Sequence, residues 1–73
     1  MGACRYVADV EGFDEPFVKT FEDDTIAERF FGNVMRTVFD EEHGLVLTAD
    51  DGRKVILTKD TLKGSHVEAA EGE

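Results

Sequence analysis

The only segment that the sequence predicts as a full helix is TIAERFFGNVMRTVF, residues 25–39. Its apolar residues recur at spacings of three and four, which places them on one broad face of a helix. They are Ile26, Ala27, Phe30, Phe31, Val34, Met35, Val38 and Phe39. A face this wide needs a broad partner, and in a chain of 73 residues we expect that partner to be a sheet built from the remaining segments.

Both ends of this helix carry boundary signals. Thr25 followed by Glu28 fits a capping box, in which each side chain bonds the backbone N–H of the other residue. Asp23 and Asp24 precede it, where acidic side chains favour the positive end of the helix dipole. Beyond the other end, Gly44 predicts a stop in the left-handed conformation.

The first predicted strand spans residues 5–11, RYVADVE. Its residues alternate between two faces, and Tyr6, Ala8 and Val10 share the apolar one. Residues 12–16, GFDEP, predict a turn or short loop.

The second predicted strand spans residues 17–22, FVKTFE, with Phe17 and Phe21 facing inward. Lys19 shares their face. This pattern is typical of an edge strand, because an inward-pointing Lys discourages pairing with other chains.

A hairpin is predicted after the helix, where LVLTA and KVILTK flank residues 50–52, Asp-Asp-Gly. A two-residue loop would scatter the apolar residues over both faces. A three-residue loop, with a type I turn and Gly52 in the left-handed conformation, instead aligns them on one face. The aligned residues are Leu45, Leu47, Val55 and Leu57. We therefore predict the three-residue loop.

The last segments are short. Residues 60–64 predict a single helical turn with Asp60 as its N-cap and Gly64 as its stop. Residues 65–68 fit a short edge strand, and residues 69–73 a small acidic tail.

The predicted order is ββαββ, with a possible fifth strand, and the fold class is α+β. One amphipathic helix packs on a mostly antiparallel four-stranded sheet, in a β-grasp-like arrangement or an open meander. No repeat or linker divides the chain, so we predict a single domain over residues 1–73 with its ordered core at residues 4–68. Strand one is compatible with a central or an edge position.

Composition limits the class of protein. A chain this small buries only about 60% of the surface that its unfolded form exposes, so oligomerisation is a natural supplement to its stability. The single Cys4 excludes an internal disulfide and fits a reducing compartment. No apolar run is long enough for a transmembrane helix, and the N-terminus lacks the apolar stretch of a signal peptide. We expect a soluble cytoplasmic protein that does not bind membranes.

The residues that carry chemistry form no recognisable site. Cys4, His43 and His66 match no zinc spacing. The Asp-Asp-Gly turn resembles the start of a calcium loop, but Lys54 and Ile56 occupy positions where oxygen ligands belong. No nucleophile elbow, P-loop or dinucleotide motif is present, and so small a chain has little room for a large pocket. We therefore expect no enzyme activity, no metal and no cofactor.

Charge is the most informative functional feature. The formal net charge is −9, which disfavours direct binding to nucleic acid or an anionic membrane. From Arg53 to Lys63 the sign is locally positive, whereas between Asp9 and Glu28 there are eight acids and one base. The candidate partner-binding residues are Asp9, Glu11, Asp14, Glu15, Glu22, Asp23 and Asp24.

These acids suggest a protein-binding domain that docks electrostatically on a basic partner. In its sharpest form it is an inhibitor that competes with nucleic acid by imitating the phosphate backbone, as small acidic phage-type inhibitors do. The alternative is a structural or housekeeping homodimer whose acidity only solubilises it or reflects a halophilic source. The dimer or partner contact would then be Phe31, Met35 and Phe39, at the margin of the wide helix face.

Overall fold

Seven elements follow one another in residues 3–70, the part of the chain that the computed structural model describes. A 12-residue α-helix, α1, continues directly into a π-helical turn, and five strands surround this helical segment in sequence. The elements are β1 (Cys4–Val10), β2 (Phe17–Phe21), α1 (Asp24–Met35), the π-helical turn (Arg36–Asp40), β3 (Leu45–Thr48), β4 (Lys54–Leu57) and β5 (Leu62–Ala69). The α+β class is confirmed.

The strands form two antiparallel sheets. Sheet A has the order β2-β1-β5, so β1 is its central strand and β2 an edge strand; sheet B is the β3–β4 hairpin. The prediction of one four-stranded sheet is wrong, because β5 and not the hairpin occupies the second edge of β1. The hairpin meets sheet A through its loop, where the Asp50 N–H donates to the Val18 carbonyl at 3.0 Å.

Strand β5 is the longest strand, where the sequence predicted a helical turn and only a short strand. The turn lies earlier: the N–H groups of Thr61 and Leu62 donate to the Thr58 carbonyl at 3.1 and 2.9 Å. Asp60 is therefore not an N-cap, and Gly64 lies within the strand. Pairing along the length of β1 overrides the local turn signal. Of the predicted acidic tail, residues 71–73 lie outside the described residues.

The helix begins one residue earlier than predicted. Asp23 is the N-cap, and its carboxylate accepts from the Ile26 N–H at 2.9 Å. The capping box predicted for Thr25 and Glu28 is wrong, because Thr25 already lies inside the first turn.

The helical segment ends in the π-helical turn, where the Glu41 N–H donates to the Arg36 carbonyl at 2.9 Å. The chain then reverses at Glu42, which is left-handed with φ 57°. The prediction that Gly44 takes this conformation is wrong, since the wider π-turn places the reversal two residues earlier. The Lys59 ammonium lies 3.4 Å from the Glu42 carboxylate there.

The core lies between sheet A, the helical segment and the inner face of the hairpin. Tyr6 of β1 is fully buried, and its ring makes edge contacts with Phe17 and Phe30 at centroid distances of 6.1 and 5.2 Å. Val34 and Val38 reach this core from the helical segment. The predicted inward face of β1 is confirmed, because Tyr6, Ala8 and Val10 are all buried.

The three-residue hairpin loop is confirmed. The Ala49 N–H donates to the Arg53 carbonyl at 2.8 Å, which closes the loop around residues 50–52. Gly52 has φ 91°, a conformation that a residue with a Cβ adopts only with strain. The register pairs Leu45 with Leu57 and Leu47 with Val55 on the inner face. Their neighbours Val46 and Ile56 face outward and are more than half exposed.

Candidate protein-binding surface

The loop between β1 and β2 begins with a tight turn. The Phe13 N–H donates to the Val10 carbonyl at 3.2 Å, and Gly12 has φ 92°. A positive φ at the third position of a turn is the geometry that Gly favours. The turn leaves the Phe13 side chain 42% exposed, and the next two residues, Asp14 and Glu15, are exposed as well.

Four predicted partner-binding acids lie in this loop or at the adjoining end of β1. We call them the loop patch: Asp9, Glu11, Asp14 and Glu15. All four are exposed. Glu11 is paired with Lys63 at 3.2 Å. No Lys or Arg of residues 3–70 lies within ion-pair distance of the other three.

The other three predicted acids lie at the opposite end of β2. We call them the helix-start patch: Glu22, Asp23 and Asp24. The register of β1 and β2 pairs Ala8 with Phe17 at one end and Cys4 with Phe21 at the other. At 3.3 Å per residue, Asp9 and Glu22 are about 20 Å apart along the strand direction. The sequence run from Asp9 to Asp24 therefore folds into two separate acidic patches.

The two patches differ in how many of their carboxylates are engaged in hydrogen bonds or ion pairs within the fold. Asp23 is half-buried and bonded to the helix N-terminus, so its charge is partly committed to the fold. Glu22 and Asp24 are exposed, and among residues 3–70 neither has an ion-pair partner. The helix-start patch thus presents fewer available carboxylates than the loop patch.

The basic residues are largely neutralised within the fold. Five of the eight Lys and Arg residues form ion pairs with acids of residues 3–70. They are Arg5, Arg36, Arg53, Lys59 and Lys63. Three of the four bases in the strip predicted between Arg53 and Lys63 are therefore paired with acids of the chain. Within residues 3–70, three of the four acids of the loop patch have no ion-pair partner; the exception is Glu11.

The hairpin loop adds two acids next to the loop patch. A shallow cleft of about 150 Å³ separates Glu15 and Pro16 from Asp50 and Asp51 of the hairpin. The Arg53 guanidinium lines the same cleft and stands 5.6 Å from the centre of the Phe13 ring. This cation–π contact joins the hairpin loop to the β1–β2 loop.

Asp50 is fixed by Thr20 on the edge strand β2. The Thr20 hydroxyl and the Thr20 backbone N–H donate to its two carboxylate oxygens, the latter at 3.0 Å. These bonds, the hydroxyl bond first, hold the pKa of Asp50 below its usual value of 3.8. Asp50 therefore acts as a structural carboxylate, whereas Asp51 bonds the Arg53 N–H at 2.9 Å.

The remaining predicted residues do not converge on a second site. Phe31 and Met35 are half-buried and pack against the core, which leaves Phe39, 38% exposed, as the most open residue of the predicted dimer contact.

Among residues 3–70, Cys4, His43 and His66 belong to no group of three or more potential metal ligands. No helix within this part of the chain is long and apolar enough to cross a membrane.

One buried polar group stands apart from these surfaces. The Tyr6 hydroxyl is enclosed in the core, and within residues 3–70 it has no hydrogen-bond partner of full geometry. Burial raises the pKa of Tyr6, and the Ser65 hydroxyl offsets part of that rise. The Ser65 hydroxyl donates its hydrogen to the Met35 sulfur at 3.6 Å and not to the Tyr6 oxygen.

Sequence reasoning missed two contributors to the surface. The sequence predicts Phe13 only as part of a turn, and the one signal for its exposure is Gly12 immediately before it, a residue typical of turns at the surface. Asp50 is predicted only as a residue of the hairpin turn, and nothing close to it in the sequence indicates that its carboxylate bonds Thr20.

Comparison with protein families, with curated proteins and with solved structures found no match.

Proposed function

We propose that the chain is a non-enzymatic protein-binding domain that docks on a basic partner through its loop patch. The observation that carries this proposal is the charge imbalance of the surface. Asp9, Asp14 and Glu15 are exposed without ion-pair partners in residues 3–70, while most Lys and Arg side chains are held by acids of the same chain. An unopposed acidic surface accelerates encounter with a cationic one and selects against acidic partners.

Phe13 supplies what charge alone does not. Exposed charges chiefly set association rate and specificity, whereas affinity usually depends on a few apolar or aromatic anchors. Phe13 is a large exposed aromatic that adjoins Asp14 in sequence and contacts Arg53 at the cleft. We assign it the anchor role, with the acids of the loop patch around it.

In its sharpest form the partner is a nucleic-acid-binding protein, and the domain competes with nucleic acid for the same basic groove. The partner then uses Lys and Arg side chains that otherwise neutralise phosphates. The separation of the two patches by about 20 Å favours contact at two points of such a groove over imitation of a continuous phosphate backbone. The halophilic or merely solubilising explanation requires no partner and gives the loop patch no special role.

Affinity capture from a lysate of the source cells tests the proposal. The domain should retain one basic partner at about 0.15 M salt and release it near 1 M, because salt screens exposed charges over a few ångströms at that strength. Asp14→Lys with Glu15→Lys should abolish capture. Asp40→Lys with Asp60→Lys changes the net charge equally at exposed acids outside both patches, and should not.

Each result separates the alternatives. Equal capture by both double variants would contradict a role for the loop patch and leave only a nonspecific effect of net charge. Absence of a partner at either salt concentration would favour the solubilising explanation. For the helix-start patch, Glu22→Lys with Asp24→Lys is the appropriate variant, because it leaves the N-cap Asp23 in place.

A further inference from the structure

The two edge strands of sheet A differ in whether their outward-pointing backbone groups form hydrogen bonds. On the β2 edge, two of the outward-pointing backbone groups bond the hairpin loop. The Val18 carbonyl accepts from the Asp50 N–H, and the Thr20 N–H donates to the Asp50 carboxylate, both at 3.0 Å. Together with the inward-facing Lys19, this contact blocks the edge against another strand.

Within residues 3–70, no loop bonds the β5 edge in this way. The Ala70 N–H donates to the Ala3 carbonyl at 3.0 Å, which fixes the alternation of backbone groups along the β1–β5 ladder. In an antiparallel ladder every second residue bonds the neighbouring strand, so the N–H and C=O groups of Ser65, Val67 and Ala69 point away from β1. Sheet A ends at β5, and no strand of residues 3–70 pairs with this side.

The open part of β5 is also regular. The register shift between β1 and β5 falls between Asp9 and Val10, opposite Lys63, at the beginning of the strand. From residue 65 to residue 69 the pairing is uninterrupted, and the segment contains no Pro and no inward-pointing charge. Natural edge strands usually carry such features because an open edge without them recruits further strands.

Charge next to this edge is balanced, in contrast to the acidic loop patch. On the outer face, Glu68 is bonded to the Arg5 guanidinium and to the His66 ring, both at 3.0 Å. One carboxylate therefore meets one guanidinium, with His66 beside them. Two copies of a chain with net charge −9 repel each other, and they can approach with least repulsion where the local charge cancels.

We propose that the β5 edge pairs antiparallel with the β5 edge of a second copy, about a twofold axis at Val67. A twofold axis perpendicular to the sheet keeps each face on its own side, so paired residues must have the same orientation. Val67 then faces Val67 of the second copy, and Ser65 faces its Ala69. Each of these pairs brings together the backbone groups that point away from β1, which is the requirement for a hydrogen-bonded pair.

The side chains select this register. It places His66 opposite Glu68 of the second copy in a non-hydrogen-bonded pair, where side chains approach most closely. Shifting the axis to His66 would place His66 opposite itself and Glu68 opposite Gly64, which removes that complementary pair. The interface consists of one strand pair, so we expect a dimer that dissociates on dilution. It does not involve the loop patch.

Disulfide trapping tests the register. Val67→Cys in a Cys4→Ser background places two thiols on the twofold axis, with Cα atoms about 5.5 Å apart, a separation that a disulfide spans. We expect oxidation to yield a covalent dimer of twice the 8.1 kDa chain. Ala69→Cys in the same background is the control, because its two copies lie about 13 Å apart and should not cross-link.

Hydrogen exchange on the unaltered chain provides an independent readout. The amides of Ser65, Val67 and Ala69 should exchange at least about tenfold more slowly in concentrated than in dilute solution. In the dimer they donate across the new strand pair, whereas no strand of residues 3–70 pairs with this edge. Exchange at these amides that is independent of concentration would overturn the proposal. So would cross-linking of Val67→Cys no faster than Ala69→Cys. Preferential cross-linking of His66→Cys would overturn the register.

Discussion

The carboxylate of Asp50 accepts two hydrogen bonds from Thr20, one from its hydroxyl and one from its backbone N–H. Asp50 belongs to the hairpin loop and Thr20 to the edge strand of sheet A, so these bonds join the two sheets. The Asp50 N–H continues the same contact by donating to the Val18 carbonyl. A single loop residue thus joins the hairpin to β2 and bonds two backbone groups on that edge of the sheet, beside the cleft that borders the loop patch.

Replacing Asp50 with Ala should therefore destabilise the domain more than an exposed loop position usually does. Loss of the charge-assisted bonds to Thr20 should lower the free energy of unfolding by about 1–2 kcal/mol. Urea denaturation followed by circular dichroism measures this change. Asp60→Ala is the matched control, since Asp60 is exposed and the described part of the chain, residues 3–70, donates no hydrogen bond to its carboxylate. It should change stability by less than about 0.5 kcal/mol.

The same contact makes stability depend on acid pH. Because the Thr20 bonds lower the pKa of Asp50 in the folded state, its contribution is fully present above the unfolded-state pKa, about 3.9. It is lost as the pH falls through the folded-state pKa. The stability difference between the unaltered chain and Asp50→Ala should therefore narrow below that range. A constant difference down to strong acid would contradict the assignment.

The helix N-cap can be identified by mutation. Asp23→Ala should lower the free energy of unfolding by about 1 kcal/mol, because the Ile26 N–H loses its acceptor. Thr25→Ala should have little effect, since Thr25 lies within the first turn. Thermal or urea denaturation of the two variants separates these positions. A larger loss for Thr25→Ala would restore the capping box that the sequence alone predicts.

Two glycines should respond in opposite directions to the same substitution. Gly52→Ala should destabilise the hairpin by about 1 kcal/mol, because its φ of 91° strains a residue with a Cβ. Gly32→Ala should stabilise the domain by about 0.5–1 kcal/mol, since Gly32 lies in α1 and no atom of residues 3–70 outside its own turn of helix lies within 4 Å of an added Cβ. Equal effects in denaturation experiments would argue against the three-residue loop.

Tyr6→Phe removes the buried hydroxyl, for which residues 3–70 provide no partner of full geometry. Because an unsatisfied buried hydroxyl is unfavourable, we expect no loss of stability and a gain of up to about 1 kcal/mol. Tyr6→Leu is the contrasting variant, and should destabilise by about 2–4 kcal/mol through the lost aromatic contacts. A clear loss in Tyr6→Phe would indicate that the hydroxyl makes a stabilising bond.

Tyr6 should also make the stability of the domain depend on pH in the alkaline range. Its pKa is raised above the usual 10.0 by burial, so its contribution to stability is present below that pH and is lost as the pH rises through the folded-state pKa. Tyr6 is the only Tyr and the chain has no Trp, so tyrosinate absorbance reports this residue alone. We expect its ionisation to coincide with unfolding and to return to about pH 10 in urea.

Local periodicity was sufficient for the elements whose pattern also determines their packing. The alternation of Tyr6, Ala8 and Val10 defines the buried face of β1, and Gly52 after two Asp residues defines the hairpin loop. The inward Lys19 correctly indicates that β2 is an edge strand. In each case the signal depends on residues close together in sequence.

Most of the wrong predictions concern features that depend on contacts between residues far apart in sequence. Residues 60–64 have the composition of a turn, yet Leu62–Ala69 is a strand because β1 pairs with it across the chain. The N-cap is Asp23 and not Thr25. Asp23, Asp24 and Thr25 are all residue types that cap helices, so local composition does not decide between them. Likewise, the acids from Asp9 to Asp24 form one run in sequence but two patches in space, because β2 separates them.

The affinity of the captured partner for three purified forms of the domain tests the role of the loop patch most directly. These are the unaltered chain, Phe13→Ala, and the double variant Asp14→Lys with Glu15→Lys, measured by titration calorimetry in one buffer. We expect each variant to bind at least about tenfold more weakly. Ile26→Ala, which also removes an exposed apolar side chain, should bind normally. Equal affinities for these three forms and the Ile26→Ala control would contradict a binding surface at the loop patch.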